Sequence, residues 1–481
     1  MSSMKIAATM AVAILAASLG SQPALSAPSY NAVDLGALPG GNYTTPYSLN
    51  DSAQVVGVAA TSSNGDYRFF LWDSENGMQD LGVPFGMTPG TWSQRIAIGN
   101  SGKIAYAAYV SPSQVHLYQR YGLGPSEDLG AIGDWNPNIP YRVQAINDSG
   151  QILASGGFGS GRAGWLPYSG ILYDDASGLL LSAEWWNADT RQNLPQTLND
   201  LGQAAGSSGE HGHHQGLFWK SDGTMLDIGA LGGNDCSPLA LNNAGQVVGA
   251  SSIGAFSSYT HGFIWSEAEG MRDIGVLPGQ VNSESYAINS GGTVIGRSGR
   301  YSFQWTPDAG MSQIGGYGDY VVSINDDGMV IGYSSFSGNN RAFVWSEKTG
   351  MIDLPVILGA TNAKPIAINR SGCVLGYVYG SSESDSRAVL WQPIPEPASC
   401  LGDFNGDGEV DQADYTTWAD HYGGADTPFA SGSSNNDGVI DQADYTTWAD
   451  NFGKYYSPTV PEPATLSLLV MGSLALLRRR N

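Results

Sequence analysis

The sequence predicts an all-β fold, a repeat-built β-propeller of about eight four-stranded blades, and three observations support this prediction. The 481 residues include 65 Gly, with 13 Trp, 24 Tyr and 13 Phe spread between short apolar runs, a composition typical of turn-rich β proteins. A unit of similar sequence recurs between residues 30 and 392. Within each unit the pattern divides into four short strands.

The repeat is clearest at the turn between the first two strands of each unit. The turn-opening position falls at Asn50, Gly99, Asn147, Asn199, Asn242, Asn289, Asn325 and Asn369. Successive positions are 36 to 52 residues apart. We expect the Asn side chain to bond the backbone two residues further on, and the Gly three residues after the Asn to adopt positive φ.

The remaining strands of each unit follow this turn. An apolar run comes first, then a Phe-x-Trp strand and a Met-x-Asp-Ile-Gly strand, as in residues 263–265 and 271–275. Four strands with this period are typical of propeller blades. One tryptophan recurs at the same place in most units and is expected to be a core residue: Trp72, Trp219, Trp265, Trp305, Trp345 and Trp391.

The two ends of the repeat region complement each other. Asp34, Leu35 and Gly36 copy the fourth strand before the first unit begins, whereas the last unit stops after Trp391 without a fourth strand. An N-terminal strand that completes the last blade would close the ring and leave no bare sheet edge. An open β solenoid is the alternative fold.

The units resemble the HAF family of extracellular repeats. The family's His-Ala-Phe-like run stands here as His261-Gly262-Phe263 and as Arg341-Ala342-Phe343. This resemblance implies an extracellular repeat protein and implies no particular activity.

The chain is strongly acidic. It carries 21 Lys and Arg against 44 Asp and Glu, which gives a formal net charge of -23. Such a charge repels phosphate backbones, so nucleic acid is excluded as a partner. Three cysteines, Cys236, Cys373 and Cys400, are too few for a disulfide framework, and their pairing stays open.

Residues 1–27 have the features of a secretory signal peptide. A lysine at position 5 precedes an apolar run over residues 6–19, and small residues follow it. The body of the protein is therefore expected to be exported.

Residues 460–481 form a second targeting segment. Pro461, Glu462 and Pro463 precede an apolar stretch over residues 466–477 and three arginines at 478–480. This order resembles the PEP-CTERM sorting signal, which implies an exosortase-type sorting protease as partner and a location at the cell surface, in the outer envelope or outside the cell. A retained C-terminal transmembrane anchor is the alternative, although the stretch is short for a bilayer. Residues 393–400 are expected to be a proline-rich linker.

Residues 401–453 contain two copies of an EF-hand-type loop. Acidic and amide side chains at alternating positions converge on one Ca²⁺, and a Gly permits the sharp bend. The predicted ligands of the first loop are Asp403, Asn405, Asp407, Glu409, Asp411 and Asp414. Those of the second, which has Ser at its first position and should bind Ca²⁺ more weakly, are Ser433, Asn435, Asp437, Val439, Asp441 and Asp444.

The duplicated loops, each followed by a predicted helix, resemble a type I dockerin. The resemblance implies a small helical, EF-hand-like module that binds a cohesin-like protein, usually within polysaccharide-degrading assemblies. Gln412, Ala413, Gln442 and Ala443 on the helix faces are the predicted partner-binding residues. A calcium-stiffened spacer is the alternative interpretation.

No catalytic constellation is evident in the repeats. Glu210, His211, His213 and His214 resemble a metal cluster but are expected in a variable loop. Trp185 and Trp186 suit a carbohydrate platform, and extra core packing is the alternative. We therefore expect an exported binding or structural protein whose ligand includes an extracellular polysaccharide. The alternative is a propeller glycoside hydrolase or polysaccharide lyase, with two carboxylates facing each other in the central channel.

Overall fold

The structure is a computed structural model, and it shows an eight-bladed β-propeller. It describes residues 29–62, 67–82, 96–111, 114–134, 141–156, 169–175, 178–181, 192–210, 213–254, 259–335, 338–357, 359–394, 410–422 and 442–452. Residues Tyr30–Pro393 form one compact unit, which contains the propeller. The two helices belong to the second unit.

Each blade is a sheet of four antiparallel strands, and seven blades use four strands that are consecutive in the chain. The strands of the first four blades are β2 (Thr44–Leu49), β3 (Val55–Ala60), β4 (Tyr67–Asp73) and β5 (Gly77–Gly82); β6 (Ile96–Ile98), β7 (Lys103–Ser111), β8 (Gln114–Tyr121) and β9 (Glu127–Asp134); β10 (Tyr141–Ile146), β11 (Ile152–Gly156), β12 (Ser169–Asp174) and β13 (Gly178–Leu181); and β14 (Gln192–Leu198), β15 (Ala204–Glu210), β16 (His213–Trp219) and β17 (Met225–Gly229).

The last four blades follow the same order, except that the eighth takes its outer strand from the N-terminus. Their strands are β18 (Cys236–Leu241), β19 (Val247–Ser252), β20 (Thr260–Ser266) and β21 (Gly270–Gly275); β22 (Ser283–Ile288), β23 (Val294–Ser298), β24 (Tyr301–Thr306) and β25 (Gly310–Ile314); β26 (Asp319–Ile324), β27 (Val330–Ser334), β28 (Arg341–Ser346) and β29 (Gly350–Asp353); and β30 (Asn362–Ile368), β31 (Val374–Tyr379), β32 (Arg387–Ile394) and β1 (Ser29–Asp34).

The N-terminal strand closes the ring as the sequence predicts. β1 lies beside β32, and just beyond it the Leu35 N–H donates to the carbonyl oxygen of Ala388 at 3.1 Å. The equivalent bond in blade 7, where the chain is continuous, joins Leu354 to Ala342 at 2.8 Å. The open-solenoid alternative is therefore wrong.

A repeated ion pair marks the same closure. In blade 7 the first residue of the third strand, Arg341, pairs with Asp353 of the fourth strand at 2.8 Å. In blade 8 Arg387 makes the equivalent ion pair with Asp34, although 353 residues separate the two in the chain. The N-terminal segment thus reproduces the fourth-strand chemistry of the other blades.

The turns between the first and second strands differ in one detail from the expectation. In seven turns the Asn Oδ1 atom accepts the backbone N–H four residues further on, at 2.8 to 3.0 Å. The predicted bond to the residue two positions on occurs in addition at Asn199 and Asn242. The predicted positive φ holds at the turn glycines, for example +73° at Gly245, and blade 1 has Ala53 there with φ of +58°.

The core lies between the blades, because each sheet packs both of its faces against neighbours. Five of the six repeated tryptophans are buried, from 0% exposed at Trp391 to 6% at Trp72 and Trp265, and Trp345 is half-buried. The second strands carry a glycine where the third-strand Phe packs across the sheet. A Cβ atom at Gly332, for example, would collide with the Phe343 ring and with the carbonyl oxygen of Tyr320.

Two short helices are described after the propeller, α1 (Gln412–His421) and α2 (Gln442–Asn451). They contact each other through aromatic side chains. The ring centroids of Tyr415 and Trp448 are 5.3 Å apart, and those of Trp418 and Tyr445 are 5.1 Å apart. Among the described residues, no helix has the length and apolar character needed to cross a membrane.

Candidate functional site at the mouth of the channel

The asparagine side chains of the turns form a ring around the central channel. Each Nδ2 atom donates to the backbone carbonyl oxygen of the turn-opening residue in the next blade. The bonds measure 2.9 to 3.2 Å and leave from Asn50, Asn147, Asn199, Asn242, Asn289, Asn325 and Asn369. The bond from Asn369 to Asn50 crosses the junction between blades 8 and 1. We call this set of seven bonds the asparagine ring.

The asparagine ring is broken at one place. Gly99 opens the turn of blade 2, and because it has no side chain, blade 2 donates no such bond to Asn147 of blade 3. All eight turns lie in the described part of the chain. The break is therefore confined to the junction between blades 2 and 3.

A second layer of hydrogen bonds covers the asparagine ring. It is made by the residues that follow the turn-opening positions. The carboxylate of Asp51 accepts the backbone N–H of Arg370 at 3.1 Å, and that of Asp200 accepts the N–H of Asp148 at 2.9 Å. Asp326 accepts from Ser290 in the same way at 2.9 Å. These carboxylates hold neighbouring blades together at repeated positions.

A cavity of about 460 Å³ opens at this mouth. Its walls are the innermost strands of blades 1, 2 and 3, together with turn residues of blades 4, 7 and 8. Four aspartates and one arginine line it, with backbone groups and apolar strand residues: Asp51, Asp148, Asp200, Asp326 and Arg370. The volume is in the range of small-molecule sites, roughly 300 to 1,000 Å³.

The lining supports hydrogen bonding to a ligand better than acid–base catalysis. A glycosidase needs two carboxylates with different environments, one protonated and one ionised. All four cavity aspartates instead occupy one repeated turn position, directly after the turn-opening Asn, and three of them, Asp51, Asp200 and Asp326, accept backbone N–H groups. The chemistry that this arrangement offers is a set of oriented acceptors and donors for hydroxyl groups.

The structure describes only part of the predicted calcium site. Asp411 is the N-cap of α1, where its side chain accepts the Ala413 N–H at 2.7 Å. The Asp414 carboxylate is fully buried and accepts the Asp411 N–H at 2.8 Å. The other predicted ligands lie outside the described residues, as does the side chain of Asp444 within α2: Asp403, Asn405, Asp407, Glu409, Ser433, Asn435, Asp437, Val439 and Asp441.

The predicted partner-binding residues lie at the starts of the two helices. Gln412, Ala413 and Gln442 are exposed there, and the side chain of Ala443 lies outside the described residues. The Trp448 Nε1 atom donates to the carbonyl oxygen of Asp411 at 2.7 Å. The second helix thus contacts the start of the first.

The predicted metal cluster does not lie in a loop, because Glu210 ends β15 and is the cross-strand partner of His213, the first residue of β16. His214 is exposed and its backbone N–H donates to Asp235, whereas His211, Trp185 and Trp186 lie outside the described residues. Among the described residues, no group of three or more His, Cys, Asp or Glu side chains is placed to hold a metal ion.

The two described cysteines are buried and form no disulfide. Burial raises the pKa of the Cys236 thiol to about 12. That thiol is therefore protonated at neutral pH and cannot act as a nucleophile. Cys400 lies outside the described residues.

A row of stacked side chains in blades 6 to 8 was not anticipated from the sequence. The Arg297 guanidinium lies 4.7 Å from the Tyr320 ring centroid, Tyr320 stacks on Tyr333 at 5.1 Å, and the Lys364 ammonium lies 5.6 Å from Tyr333. We call these four residues the cation–aromatic row. A comparison of the repeats could have indicated this row, because the positions of Tyr320 and Tyr333 in blade 7 are occupied by Ser237 and Ala250 in blade 5.

Comparison with solved structures finds propellers of low sequence identity. The β-propeller domain of the Trilobed protease from Pyrococcus furiosus is 11% identical, with a TM-score of 0.43 over 65% of this chain and 98% of that one. Virginiamycin B lyase from Staphylococcus aureus is 9% identical, with a TM-score of 0.39 over 75% and 99%. Acylaminoacyl peptidase from Pyrococcus horikoshii is 10% identical, with a TM-score of 0.42 over 70% and 57%. Identities and TM-scores this low do not indicate the activity of this chain.

Comparison with protein families identifies the C-terminal segment. No curated protein matches the chain. Residues 459–481 match the model of the PEP-CTERM protein-sorting motif. The motif indicates export with a C-terminal sorting or anchor signal, and it implies processing by exosortase-type sorting machinery.

Proposed function

We propose that this exported propeller is a non-catalytic binding protein whose channel mouth recognises an extracellular polysaccharide. The observation that carries the proposal is the role of the mouth carboxylates. Asp51, Asp200 and Asp326 accept backbone N–H groups from neighbouring blades, so they are positioned by the fold as fixed acceptors. Fixed acceptors around a ligand-sized cavity suit the hydroxyl groups of a sugar. Trp185 and Trp186 are a second proposed carbohydrate contact.

The helical module adds a second proposed role, which is Ca²⁺-dependent attachment to a partner protein. Asp414 is the predicted last ligand of the first loop, and its carboxylate is fully buried. Burying a carboxylate is costly unless a cation or several donors compensate it. The Asp411 N–H supplies part of that compensation in a capping box, and a Ca²⁺ ion held by this loop would add to it, while the second loop would hold a weaker site. A cohesin-like partner would then contact Gln412, Ala413, Gln442 and Ala443.

Binding and turnover can be separated in one experiment on the full chain. Glycan-array binding followed by analysis of the bound oligosaccharides for hydrolysis or elimination products is expected to show binding with intact ligands. Release of shortened or unsaturated products would instead establish the glycosidase or lyase alternative. Absence of binding to every glycan would contradict the proposed function.

Calcium binding is tested by isothermal titration of the full chain with CaCl₂. Two sites of unequal affinity are expected. Asp414→Asn should weaken the tighter one at least tenfold, because the amide keeps one oxygen but loses the negative charge and the second oxygen. Asp420→Asn, at an exposed position of the same helix, is the matched control and should leave both sites intact. An unchanged titration with Asp414→Asn would contradict the assignment.

A further inference from the structure

We infer that the break in the asparagine ring is the binding pocket itself, and that it receives the terminal residue of a neutral, hydroxyl-rich glycan chain. This inference rests on the proposed polysaccharide-binding function and assigns it to a place in the fold. In blade 2, two positions of the repeat differ together from those of the other blades.

In most of the blades before the sixth, the turn contains an interacting pair of amides. The Asn50 Nδ2 atom donates both to the Gln54 Oε1 atom at 2.9 Å and to the next blade. The same Asn and Gln pair occurs at Asn147 with Gln151, at Asn199 with Gln203 and at Asn242 with Gln246. In blade 2 both members differ, because Gly99 and Lys103 stand at these two positions.

The two changes in blade 2 are chemically consistent with each other. In the other blades the Gln side chain accepts a hydrogen bond from the Asn amide. The ammonium group of Lys103 cannot accept such a bond, and Gly99 has no amide side chain to donate one. The Lys103 side chain is only 2% exposed, and its Nζ atom instead donates to the Gly150 carbonyl oxygen at 3.1 Å and to the Asp175 carboxylate at 2.5 Å. A buried lysine held in this way keeps the junction between blades 2 and 3 connected without the missing Asn.

The cavity lies at this junction. Gly99 is one of its lining residues, and β2, β6 and β10 of blades 1 to 3 supply most of the others. In the other turns an Asn side chain spans the distance to the next blade. At position 99 a Cβ atom would lie 3.6 Å from the carbonyl oxygen of Asn147 and only 3.0 Å from Ile146 Cγ2, so Ile146, a cavity-lining residue, would have to shift to admit a side chain.

The lining chemistry identifies the class of ligand. Four carboxylates against one guanidinium, in a chain of net charge -23, disfavour an anionic sugar. A bare metal ion is also disfavoured, because the described residues place no three His, Cys, Asp or Glu side chains together to hold one. The side chains of Asn100 and Ser48, which also bond within the protein, add an amide and a hydroxyl to a mainly polar lining that matches the hydroxyl groups of a neutral sugar.

The closed ring determines how such a ligand enters. Eight sheets surround the channel, and β1 completes the eighth, so the described fold leaves no lateral slot for the middle of a chain. Entry along the axis, with the chain end first, is the route by which a glycan reaches the innermost part of this cavity. Recognition of a chain end distinguishes this pocket from a surface platform, which would bind internal residues.

The test restores the repeat at the break with the double variant Gly99→Asn/Lys103→Gln in the full chain. The variant re-creates the residue pair of blades 1, 3, 4 and 5, but it also removes the bonds of Lys103 and requires Ile146 to shift, so its fold is verified by circular dichroism and urea unfolding before binding is measured. Binding is measured by isothermal titration with linear maltohexaose, cellohexaose and laminarihexaose, and with cyclic α-cyclodextrin, which has no chain end. We expect at least one linear probe to bind the parent, the cyclic probe not to bind, and the double variant to bind at least tenfold more weakly.

The outcomes separate the inference from the proposed function. If the folded double variant binds a linear probe as tightly as the parent, or if the cyclic probe binds equally well, the pocket assignment is wrong while polysaccharide binding stands. If no glycan binds the parent, the proposed function itself fails. Should the double variant not fold, Asp148→Ala at the cavity replaces it, with Asp308→Ala in an exposed turn of blade 6 as control; equal binding by these two variants would overturn the inference.

Discussion

Replacing Leu35 by Ala tests the closure of the ring by the N-terminal strand. Leu35 is 2% exposed and packs in a cluster that contains Phe70 and Trp72 of blade 1 and Leu375 and Leu390 of blade 8. A buried Leu→Ala change typically costs about 2 to 5 kcal/mol, through lost transfer energy and the cavity left behind. A loss of stability of that size is expected at Leu35 only if the N-terminal segment is part of the core.

The matched control is Leu354→Ala. Leu354 is 4% exposed and makes the equivalent backbone bond in blade 7, where all four strands are consecutive in the chain. Urea unfolding of the full chain, followed by tryptophan fluorescence, should give similar losses in the free energy of unfolding for both variants. Asn31→Ala, at an exposed position of β1, should change it by less than about 0.5 kcal/mol. A loss at Leu35 no larger than at Asn31, beside a full loss at Leu354, would refute the closure.

Three further predictions concern single positions. Ala53→Gly should raise the free energy of unfolding by about 1 kcal/mol, because Ala53 has φ of +58°, and Gly328→Ala at the equivalent turn, φ +76°, should lower it by a similar amount; urea unfolding that shows opposite signs to these would contradict the turn geometry. Cys236 should resist alkylation by iodoacetamide at pH 8 until the chain is unfolded, since burial raises the pKa of its thiol to about 12. Above pH 9 this thiol should lower the free energy of unfolding, because it ionises in the unfolded chain before it ionises in the folded one. Rapid labelling of the folded chain would show that the thiol is not buried. Arg297→Ala should cost about 1 kcal/mol of stability through loss of its contact with Tyr320, whereas Arg300→Ala, whose partner Tyr317 is exposed, should cost less; equal thermal shifts for the two variants would show that the cation–aromatic row adds nothing.

The regular part of the fold was predictable because its chemistry repeats within short segments. A turn with Asn and Gly, a Phe-x-Trp strand and a terminal Asp34-Leu35-Gly36 each carry local signals, and together they specify the number of blades and the closing strand. The bond from the Asn Oδ1 atom to the residue four positions on was missed. Turn propensities favour the two-residue bond, whereas the hairpin places the fifth residue's N–H closest to the side chain.

The candidate site was harder to predict because it depends on contacts between blades. The asparagine amides bond carbonyl groups 36 to 52 residues away within the chain, and in one case 319 residues away. Packing of successive blades brings six of these pairs together, and closure of the ring brings Asn369 to Asn50. The sequence identifies Gly99 as a turn position. That it leaves a gap in the asparagine ring follows only from the structure, in which the Asn side chains at the other seven positions donate hydrogen bonds to the next blade.

The contact between the two ends of the propeller can be measured directly by cross-linking. In the variant Arg387→Lys, a water-soluble carbodiimide should join the introduced amine to the Asp34 carboxylate by an amide bond, because the present ion pair places these side chains together. Arg341→Lys provides the positive control through its pair with Asp353. We predict that mass spectrometry of the digested full chain finds both cross-linked peptides with similar yield. Detection of the link to Asp353 without the link to Asp34 would contradict a ring closed by the N-terminal strand.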